Sequence, residues 1–426
     1  MTLKIGFVGL THLGLVSGAA ALVKKSKVIF FDPDIKLTQA LNKGIYHIEE
    51  PGFSEAIDEN KKNATFTSNP EDIKVCDVVY IAPDIPTDDK GKSDLTGISN
   101  LLDETCSYWP KKGSVVILSQ VYPGFTRKLS EKLKKRGVDV SRLFYQVETL
   151  VFGIAMQRAL HPERYILGKA DEDQEICKSL MKYLQSYNCS ILPMRYESAE
   201  FCKICINAFL ASSVSTSNIL EEICEKIGAK WKEIIPALKL DKRIGKYAYL
   251  NPGLGISGGN IERDLSSIIT LSNKNGTESS AIGAFIYNSR YRKNWPLHIF
   301  YEHIIPNMRD IRKIGFLGIS YKENTHSIKN SPSVQLMRKL RTFDCFAYDP
   351  KVVSLPTDLS SINIVCTEYD VINNVEVLFV MTPWPQFKKI PKKVFSESKE
   401  LKFVVDPYNV LEHVEFQKGV QHLSFC

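Results

Sequence analysis

The sequence predicts an α/β protein with two doubly wound, Rossmann-like domains joined by a long central helix and a helical middle domain. The first observation is the apolar run Lys4-Ile-Gly-Phe-Val-Gly-Leu10, which recurs almost unchanged as Lys313-Ile-Gly-Phe-Leu-Gly-Ile319. The second is that further apolar runs follow each copy, separated by stretches of helical periodicity, as in mostly parallel sheets. The third is a continuous helical pattern from Glu197 to about Gly228. The predicted domain boundaries are 1–195, 196–300 and 301–426.

The composition excludes several classes of protein. A chain of 426 residues with 44% hydrophobic content is sufficient for several cores, and no apolar run approaches the roughly 20 residues of a membrane span. The chain opens on a strand pattern without a signal segment, and its ten cysteines are scattered as reduced thiols usually are. We therefore expect a cytoplasmic protein with no membrane span and no metal site. The net charge of +7 is spread along the chain, which favours a small anionic substrate over nucleic acid.

The N-terminal strand, helix and strand are typical of a dinucleotide-binding unit. In the G-x-G-x-x-G fingerprint the pyrophosphate lies on the helix N-terminus, and an acidic residue about 20 positions on binds the ribose. Gly9, Gly14 and Asp32 occupy three of these places, but Thr11 replaces the middle glycine. An acidic residue at the end of the second strand favours NAD over NADP. The alternative is an ordinary βαβ turn that binds nothing.

Three later loops of the first sheet are also candidates for contacts with the cofactor. Ligands of doubly wound sheets bind beyond the carboxyl ends of the strands. The loops that follow Ala82, Leu118 and Tyr145 meet this condition, and they carry Pro86, Gln120 and Glu148.

The predicted central helix carries two polar side chains at the spacing of one helical turn. Lys203 and Asn207 are four residues apart, so an ammonium group and an amide could reach a single ligand. Taken alone, the pattern favours a solvated helix face. Cys202 and Cys205 form a C-x-x-C, which in an apolar helix is more typical of packing than of redox or zinc chemistry.

Two further stretches suggest substrate contacts. The run Asn251-Pro-Gly-Leu-Gly-Ile-Ser-Gly-Gly-Asn-Ile-Glu-Arg-Asp264 is dense in glycine and contains apolar residues, which favours a folded site loop over a flexible linker. The second sheet lacks a G-x-G-x-x-G, so its loops with Lys322, Lys329 and Lys388 favour a phosphorylated substrate.

With these elements in place, the chain resembles the UDP-glucose/GDP-mannose dehydrogenase family from end to end. The ordered motifs that carry this resemblance are Leu15-Val-Ser-Gly18, Glu50-Pro-Gly52, Ser93-Asp-Leu95, Leu160-His-Pro-Glu-Arg164, Asn207-Ala-Phe-Leu210, Asp241-Lys-Arg-Ile-Gly245, Tyr321-Lys322, Ser331-Pro-Ser333, Tyr348-Asp-Pro350, Thr382-Pro-Trp384 and Asn409-Val-Leu411. The family oxidises the C6 alcohol of a nucleotide sugar to a carboxylate by two hydride transfers to NAD, through a thiohemiacetal and a thioester on a cysteine.

The resemblance implies a role for each domain and for particular residues. It assigns NAD binding to residues 1–195, the dimer interface and active site to 196–300, and nucleotide-sugar binding to 301–426. The implied catalytic residues are Glu148, Lys203, Asn207, Asn260, Asp264 and Gln120. The implied cofactor-binding residues are Gly9, Thr11, His12, Leu13, Gly14, Asp32, Pro86, Gln120 and Lys329. The implied substrate-binding residues are Glu148, Lys203, Asn207, Arg243, Tyr249, Asn251, Gly255, Lys322 and Lys388. In the family the arginine matched by Arg243 reaches the sugar nucleotide across a homodimer interface built on the central helix.

The departures from the family pattern concern the chemistry. Asn260 stands at the position of the nucleophilic cysteine, and an amide cannot form a thioester. Other changes are Glu262-Arg263 for proline and lysine, Gln120 and Ile85 for two threonines, Gln146-Val-Glu-Thr149 for N-P-E-F, Lys329 for an arginine and Tyr408 for another. Two functions remain open: an NAD-dependent oxidoreductase that carries out a two-electron or redox-neutral reaction on a nucleotide sugar, and a catalytically lapsed relative with a regulatory or scaffolding role.

Overall fold

The structure is a computed structural model that describes residues 2–88, 93–308 and 310–425. It divides into two compact units, Met1–Ile206 and Asn207–Cys426. The longest helix begins in the first unit and ends in the second. The domain boundaries predicted from the sequence stay a prediction.

The first unit is built on an eight-stranded sheet. Its strands are β1 (Lys4–Val8), β2 (Lys27–Phe31), β3 (Ala64–Thr67), β4 (Val78–Ile81), β5 (Ser114–Ile117), β6 (Leu143–Gln146), β7 (Arg164–Lys169) and β8 (Ser190–Arg195). Its helices are α1 (His12–Val23), α2 (Ile35–Asn42), α3 (Phe53–Glu59), α4 (Thr96–Thr105), α5 (Phe125–Lys135), α6 (Ala155–Leu160) and α7 (Lys178–Gln185). The spatial order is β3-β2-β1-β4-β5-β6-β7-β8, and every pair is parallel except β6 with β7.

Two glycines allow α1 to lie close against this sheet. A Cβ on Gly14 would lie 2.1 Å from the carbonyl oxygen of Gly9, and one on Gly18 would lie 2.1 Å from the ring of Phe30. Backbone at this separation has no room for a side chain. The close packing fixes the N-terminus of α1 at the carboxyl end of β1, between the loops that follow β2 and β4.

The second unit contains the helical middle region and a second sheet. The helices are α8 (Tyr196–Ile227, shared with the first unit), α9 (Trp231–Leu240), α10 (Asn260–Asn275), α11 (Ser280–Lys293), α12 (Trp295–Ile299), α13 (Pro332–Leu340), α14 (Glu368–Ile372) and α15 (Lys392–Glu397). The strands are β9 (Lys313–Leu317), β10 (Asp344–Tyr348), β11 (Asn363–Ile364), β12 (Val377–Val380), β13 (Phe403–Val405) and β14 (Gln421–Leu423). They form a parallel sheet in the order β11-β10-β9-β12-β13-β14.

The internal repeat seen in the sequence is a structural repeat. β9 lies between β10 and β12, as β1 lies between β2 and β4. At the end of β10 the Asp349 carboxylate accepts the backbone N–H of Ile319 at 2.7 Å, and Asp32 after β2 accepts that of Leu10 at 2.8 Å. Two doubly wound domains with a helical region between them are therefore confirmed.

The glycine-rich stretch is shorter than the sequence predicted. The irregular segment ends at Gly259, and α10 begins at Asn260, so Glu262 and Asp264 lie on the first turns of a helix. The prediction of a loop as far as Asp264 was wrong because glycine density dominated the pattern. An acidic residue in a first turn is favoured by the helix dipole, and Glu262 provides it.

Candidate cofactor and substrate sites

The turn between β1 and α1 brings together the glycines and the polar residues predicted to bind the cofactor. Gly9 has a φ of +93°, which favours glycine, and Thr11 is the N-cap of α1. The Thr11 side chain makes no bond to its own helix. Instead, its Oγ1 accepts the backbone N–H of Asp84 at 2.8 Å. The side chain that replaces the middle glycine therefore ties this turn to the loop after β4.

Asp32 lies at the place expected of a ribose-binding carboxylate. One oxygen accepts the N–H of Leu10 at 2.8 Å, and the other accepts that of Asp34 at 3.0 Å. These bonds orient the carboxylate beside the turn that contains Gly9. The geometry agrees with the fingerprint in the sequence.

His12 is held by a glutamate that the sequence did not indicate as a site residue. Its Nε2 lies 3.0 Å from Oε2 of Glu50, whose carboxylate also accepts the N–H groups of Gly153 at 3.1 Å and Ala155 at 2.6 Å. The His12 ring packs on Phe152, with 4.3 Å between the ring centroids. Glu50 thus fixes the imidazole at the start of α1. The only signal for it in the sequence was its place in the Glu50-Pro-Gly52 motif.

Two charged residues of the first unit that were predicted to be catalytic, Lys203 and Glu148, form an ion pair. Lys203 Nζ lies 3.6 Å from Glu148 Oε2, with the side chains 15% and 16% exposed. Glu148 also accepts the N–H of Leu150. Pro86 and Gln120 follow β4 and β5, at the carboxyl edge of the sheet where Glu148 follows β6. A carboxylate paired with a lysine at this edge can take part in proton transfer.

In the second unit, Asn207 and Asp264 are in direct contact. The Asn207 amide donates to Asp264 Oδ2 at 2.5 Å, and Arg263 Nε donates to Oδ1 at 3.1 Å. Asp264 is 1% exposed and Asn207 is 7% exposed. A buried carboxylate is costly without hydrogen-bonding and charged partners, and here Asn207 and Arg263 supply both, so the Asp264 side chain is held in one orientation.

The segment before α10 is packed and does not behave as a linker. Gly255 has a φ of +72°, and a Cβ on it would lie 2.4 Å from the carbonyl oxygen of Ser289. The Ser289 hydroxyl in turn accepts the N–H of Ile256 at 2.8 Å. At the start of the segment, the N–H of Gly253 donates to Asn218 Oδ1 at 2.8 Å. The glycines are required for close contact, which excludes the flexible linker considered from the sequence.

A buried lysine links this segment to the first turn of α10. Lys293 Nζ donates to Glu262 Oε1 at 2.9 Å and to Asn330 Oδ1 at 2.7 Å. The Asn330 amide donates to the carbonyl oxygen of Gly258 at 3.2 Å. Burial lowers the pKa of Lys293, while the charge of Glu262 opposes this shift. Local patterns gave no indication of Lys293 or Asn330, because their partners lie far away in the sequence.

The predicted substrate-binding residues differ in their surroundings. Arg243 pairs with Asp241 at 2.7 Å, and its side chain is 90% exposed. Tyr249 is 58% exposed. Lys322 Nζ lies 5.9 Å from the centre of the Tyr321 ring. Asn251 and Lys388, also in this set, are exposed. Lys329, which was predicted to bind the cofactor, lies beside Gly259: a Cβ on that glycine would be 3.1 Å from the Lys329 Cδ.

The fold and these two clusters define a class of enzyme. A doubly wound unit with most of the dinucleotide fingerprint, and with an acidic residue after its second strand, is typical of proteins that bind a dinucleotide. Comparison with known sequences is more specific. Three domain profiles of the UDP-glucose/GDP-mannose dehydrogenase family match the chain: the NAD binding domain at 3–185, the central domain at 197–289 and the UDP binding domain at 315–413. The chain therefore belongs to this family.

Individual relatives match over almost the whole chain. YtcA of Bacillus subtilis (strain 168) is 28% identical over 421 residues, covering 96% of each protein. UDP-glucose 6-dehydrogenase TuaD of the same organism is 24% identical, covering 97% of this chain and 91% of the relative. Among solved structures, a UDP-glucose dehydrogenase from Pyrobaculum islandicum matches with a TM-score of 0.83 and 23% identity over 100% of this chain and 98% of that chain. A UDP-D-ManNAc dehydrogenase from Pyrococcus horikoshii matches with a TM-score of 0.84 and 20% identity over 99% of each.

The comparisons confirm the predicted enzyme class and the predicted cofactor. The chain is an enzyme of the NAD-dependent nucleotide-sugar dehydrogenase kind, and its cofactor is NAD. It also carries the family's UDP-binding domain. Within residues 2–88, 93–308 and 310–425, no helix is long and apolar enough to cross a bilayer. The roles of individual site residues stay predictions.

Proposed function

We propose that this enzyme oxidises an alcohol of a nucleotide sugar by a single hydride transfer to NAD, or oxidises and then reduces the sugar again without net NADH. The observation that carries this proposal is Asn260. It is the first residue of α10 and stands where the family resemblance places the nucleophilic cysteine. A carboxamide has no thiolate to capture an aldehyde, so the covalent half of the four-electron reaction has no acceptor.

The residues needed for one hydride transfer are present. NAD, when bound, accepts the hydride from the carbon that bears the alcohol. The Asp264 carboxylate, which accepts a hydrogen bond from Asn207 at 2.5 Å, would accept the proton that the alcohol loses. The Lys203 ammonium, paired with Glu148, provides a positive charge for a developing alkoxide. Lys203 and Asn207 lie one turn apart on α8.

The test is the number of NADH molecules formed per sugar consumed. Purified protein is incubated with NAD and a panel of UDP-glucose, UDP-ManNAc and GDP-mannose, and the sugar product is identified by mass spectrometry. We expect one NADH for each aldehyde or ketone, or an isomerised sugar without net NADH. Two NADH and a carboxylate would contradict the proposal. Binding of a nucleotide sugar without turnover would support the lapsed relative with a regulatory role instead.

A variant tests the role of position 260 directly. Asn260→Cys restores a thiol at the first residue of α10, so we expect two NADH per sugar and a carboxylate product. Asn273→Cys is the matched control, because it makes the same change at an exposed position near the other end of α10. An Asn260→Cys enzyme that still forms one NADH would show that the missing thiol is not what stops the reaction.

We also propose that the enzyme is a homodimer formed through α8. The helix exposes large apolar side chains at spacings of three, four and eleven residues, which places them along one face. These are Phe209 (78% exposed), Leu220 (40%), Ile223 (47%) and Ile227 (71%). Exposed apolar side chains grouped on one side of a helix, as Leu220, Ile223 and Ile227 are, are typical of an interface. The Arg243 side chain is 90% exposed, so a partner subunit could reach it. We place the enzyme in the cytoplasm, since the cysteines of the described residues are free thiols.

A further inference from the structure

The loop after β4 lies against the N-terminus of α1 through two reciprocal hydrogen bonds. Asp84 donates its backbone N–H to Thr11 Oγ1 at 2.8 Å. In return, Asp84 Oδ2 accepts the backbone N–H of Leu13 at 3.2 Å. Thr11 is the N-cap and Leu13 is the second residue of the helix. A carboxylate from 71 residues away in the sequence therefore satisfies an amide at the N-terminus of α1.

This amide belongs to the helix end on which a dinucleotide places its pyrophosphate. The first turn of α1 contains no acidic residue, and its N-cap side chain makes no bond to the helix. The first N–H groups of a helix have no acceptor within the helix, and together with the positive end of the helix dipole they attract an anion. In the structure that anion is the Asp84 carboxylate. A diphosphate that uses the same N–H group would meet a negative charge already in place.

We propose that Asp84 is an internal anion that occupies the diphosphate-binding end of α1 in the empty protein and is displaced when NAD binds. Asp84 would thereby set the affinity for NAD. The geometry allows the displacement, because Asp84 is exposed and its carboxylate can turn into water. The bond to Thr11 involves only the Asp84 backbone, so the loop stays attached to the turn when the side chain leaves. The replacement of the middle glycine by Thr11 thus supplies the anchor that keeps Asp84 close to the helix.

The test compares NAD binding to the wild type and to Asp84→Asn by calorimetric titration, without sugar. Asparagine has the same shape and still offers an oxygen to Leu13, so the fold is preserved while the charge is removed. We expect Asp84→Asn to bind NAD about 5-fold more tightly, which corresponds to the upper end of helix-terminus charge effects at exposed positions. Asp88→Asn is the matched control, since it removes a charge from an exposed position of the same loop, and we expect less than about a 2-fold change.

Two further measurements separate this explanation from others. Adenosine has no phosphate groups, so its affinity should be the same for the wild type and Asp84→Asn. The melting temperature of the empty protein should fall in Asp84→Asn, because the helix loses its anion, while the increase caused by NAD should grow. An equal gain in adenosine and NAD affinity would mean that the substitution opened the pocket generally, and it would overturn the proposal.

Three other results would also overturn the proposal that Asp84 competes with the diphosphate of NAD. Unchanged or weaker NAD binding by Asp84→Asn would show that the carboxylate does not compete with the diphosphate. Weaker binding only in the presence of Mg²⁺ would show that Asp84 bridges to the diphosphate through the cation. If neither protein bound NAD, Asp84 would not be what limits the affinity. Because no sugar is present, these outcomes are independent of whether the enzyme transfers one hydride or two.

Discussion

The contact between Asn207 and Asp264 allows a quantitative test of the buried charge cluster. Asn207→Ala removes a hydrogen bond to a buried carboxylate, which costs about 2 kcal/mol. For a unit of the size of Asn207–Cys426, that corresponds to a decrease in the melting temperature of about 4–8 °C. Asn207→Asp goes further, because it places a second carboxylate where the amide now lies 2.5 Å from Asp264. At an effective dielectric constant of about 20, two such charges about 4 Å apart repel by about 4 kcal/mol.

The pH dependence of Asn207→Asp identifies the cause. Protonation of either carboxylate removes the repulsion of about 4 kcal/mol between them. Because carboxylates bind protons at acid pH, the destabilisation caused by Asn207→Asp should be smaller at pH 5 than at pH 8.

Scanning calorimetry at pH 5 and pH 8 measures this difference. Asn207→Asp should melt well below Asn207→Ala at pH 8, and the two should approach each other at pH 5. Asn273→Asp, an exposed position on α10, should show neither effect. If Asn207→Asp were as stable as Asn207→Ala at pH 8, a second carboxylate at position 207 would not be repelled by Asp264, and the proposed charge cluster would be refuted.

Two further predictions concern the second unit. Burial and the charge of Glu221 raise the pKa of Glu225 to about 7, so stability present below about pH 4.5 is lost as the pH rises through 7. Glu225→Gln should therefore raise the melting temperature at pH 8 and leave it unchanged at pH 4.5, whereas the exposed control Glu233→Gln should do neither. Ile223→Glu in the apolar face of α8 should convert the dimer to monomers in light scattering coupled to gel filtration, and an unchanged mass would argue against that interface.

Much of the fold could be predicted because each buried strand is a short, continuous run of apolar residues in the sequence. The run from Lys4 to Leu10 predicted β1, and its near copy predicted β9, since a buried parallel strand is a continuous apolar run. The predicted helix between Glu197 and Gly228 corresponds to α8 (Tyr196–Ile227). Each of these signals lies within a few tens of residues, which is the range that periodicity covers.

The site was predicted less completely because its contacts are long-range. The Lys203 to Glu148 pair joins residues far apart in the chain, and no spacing rule predicts it. Asp84 was overlooked although it follows the carboxyl end of β4, where the topology of a doubly wound sheet places ligand contacts. Pro86 in this loop was predicted as a cofactor contact, whereas the carboxylate two residues before it was not predicted.

The charged residues at the start of α10 help to distinguish a catalytically lapsed protein from an active enzyme with altered chemistry. Glu262 pairs with the buried Lys293, and Arg263 pairs with Asp264. A buried charge without a partner costs several kcal/mol, so drift at these positions would leave unpaired charges. Here each has a partner, and together they hold the first turn of the helix in place. A cysteine introduced at Asn260 would therefore lie at a fixed helix N-terminus, which lowers the pKa of a thiol and favours the nucleophilic thiolate. This physical reason leads us to expect that the single substitution Asn260→Cys restores the second oxidation.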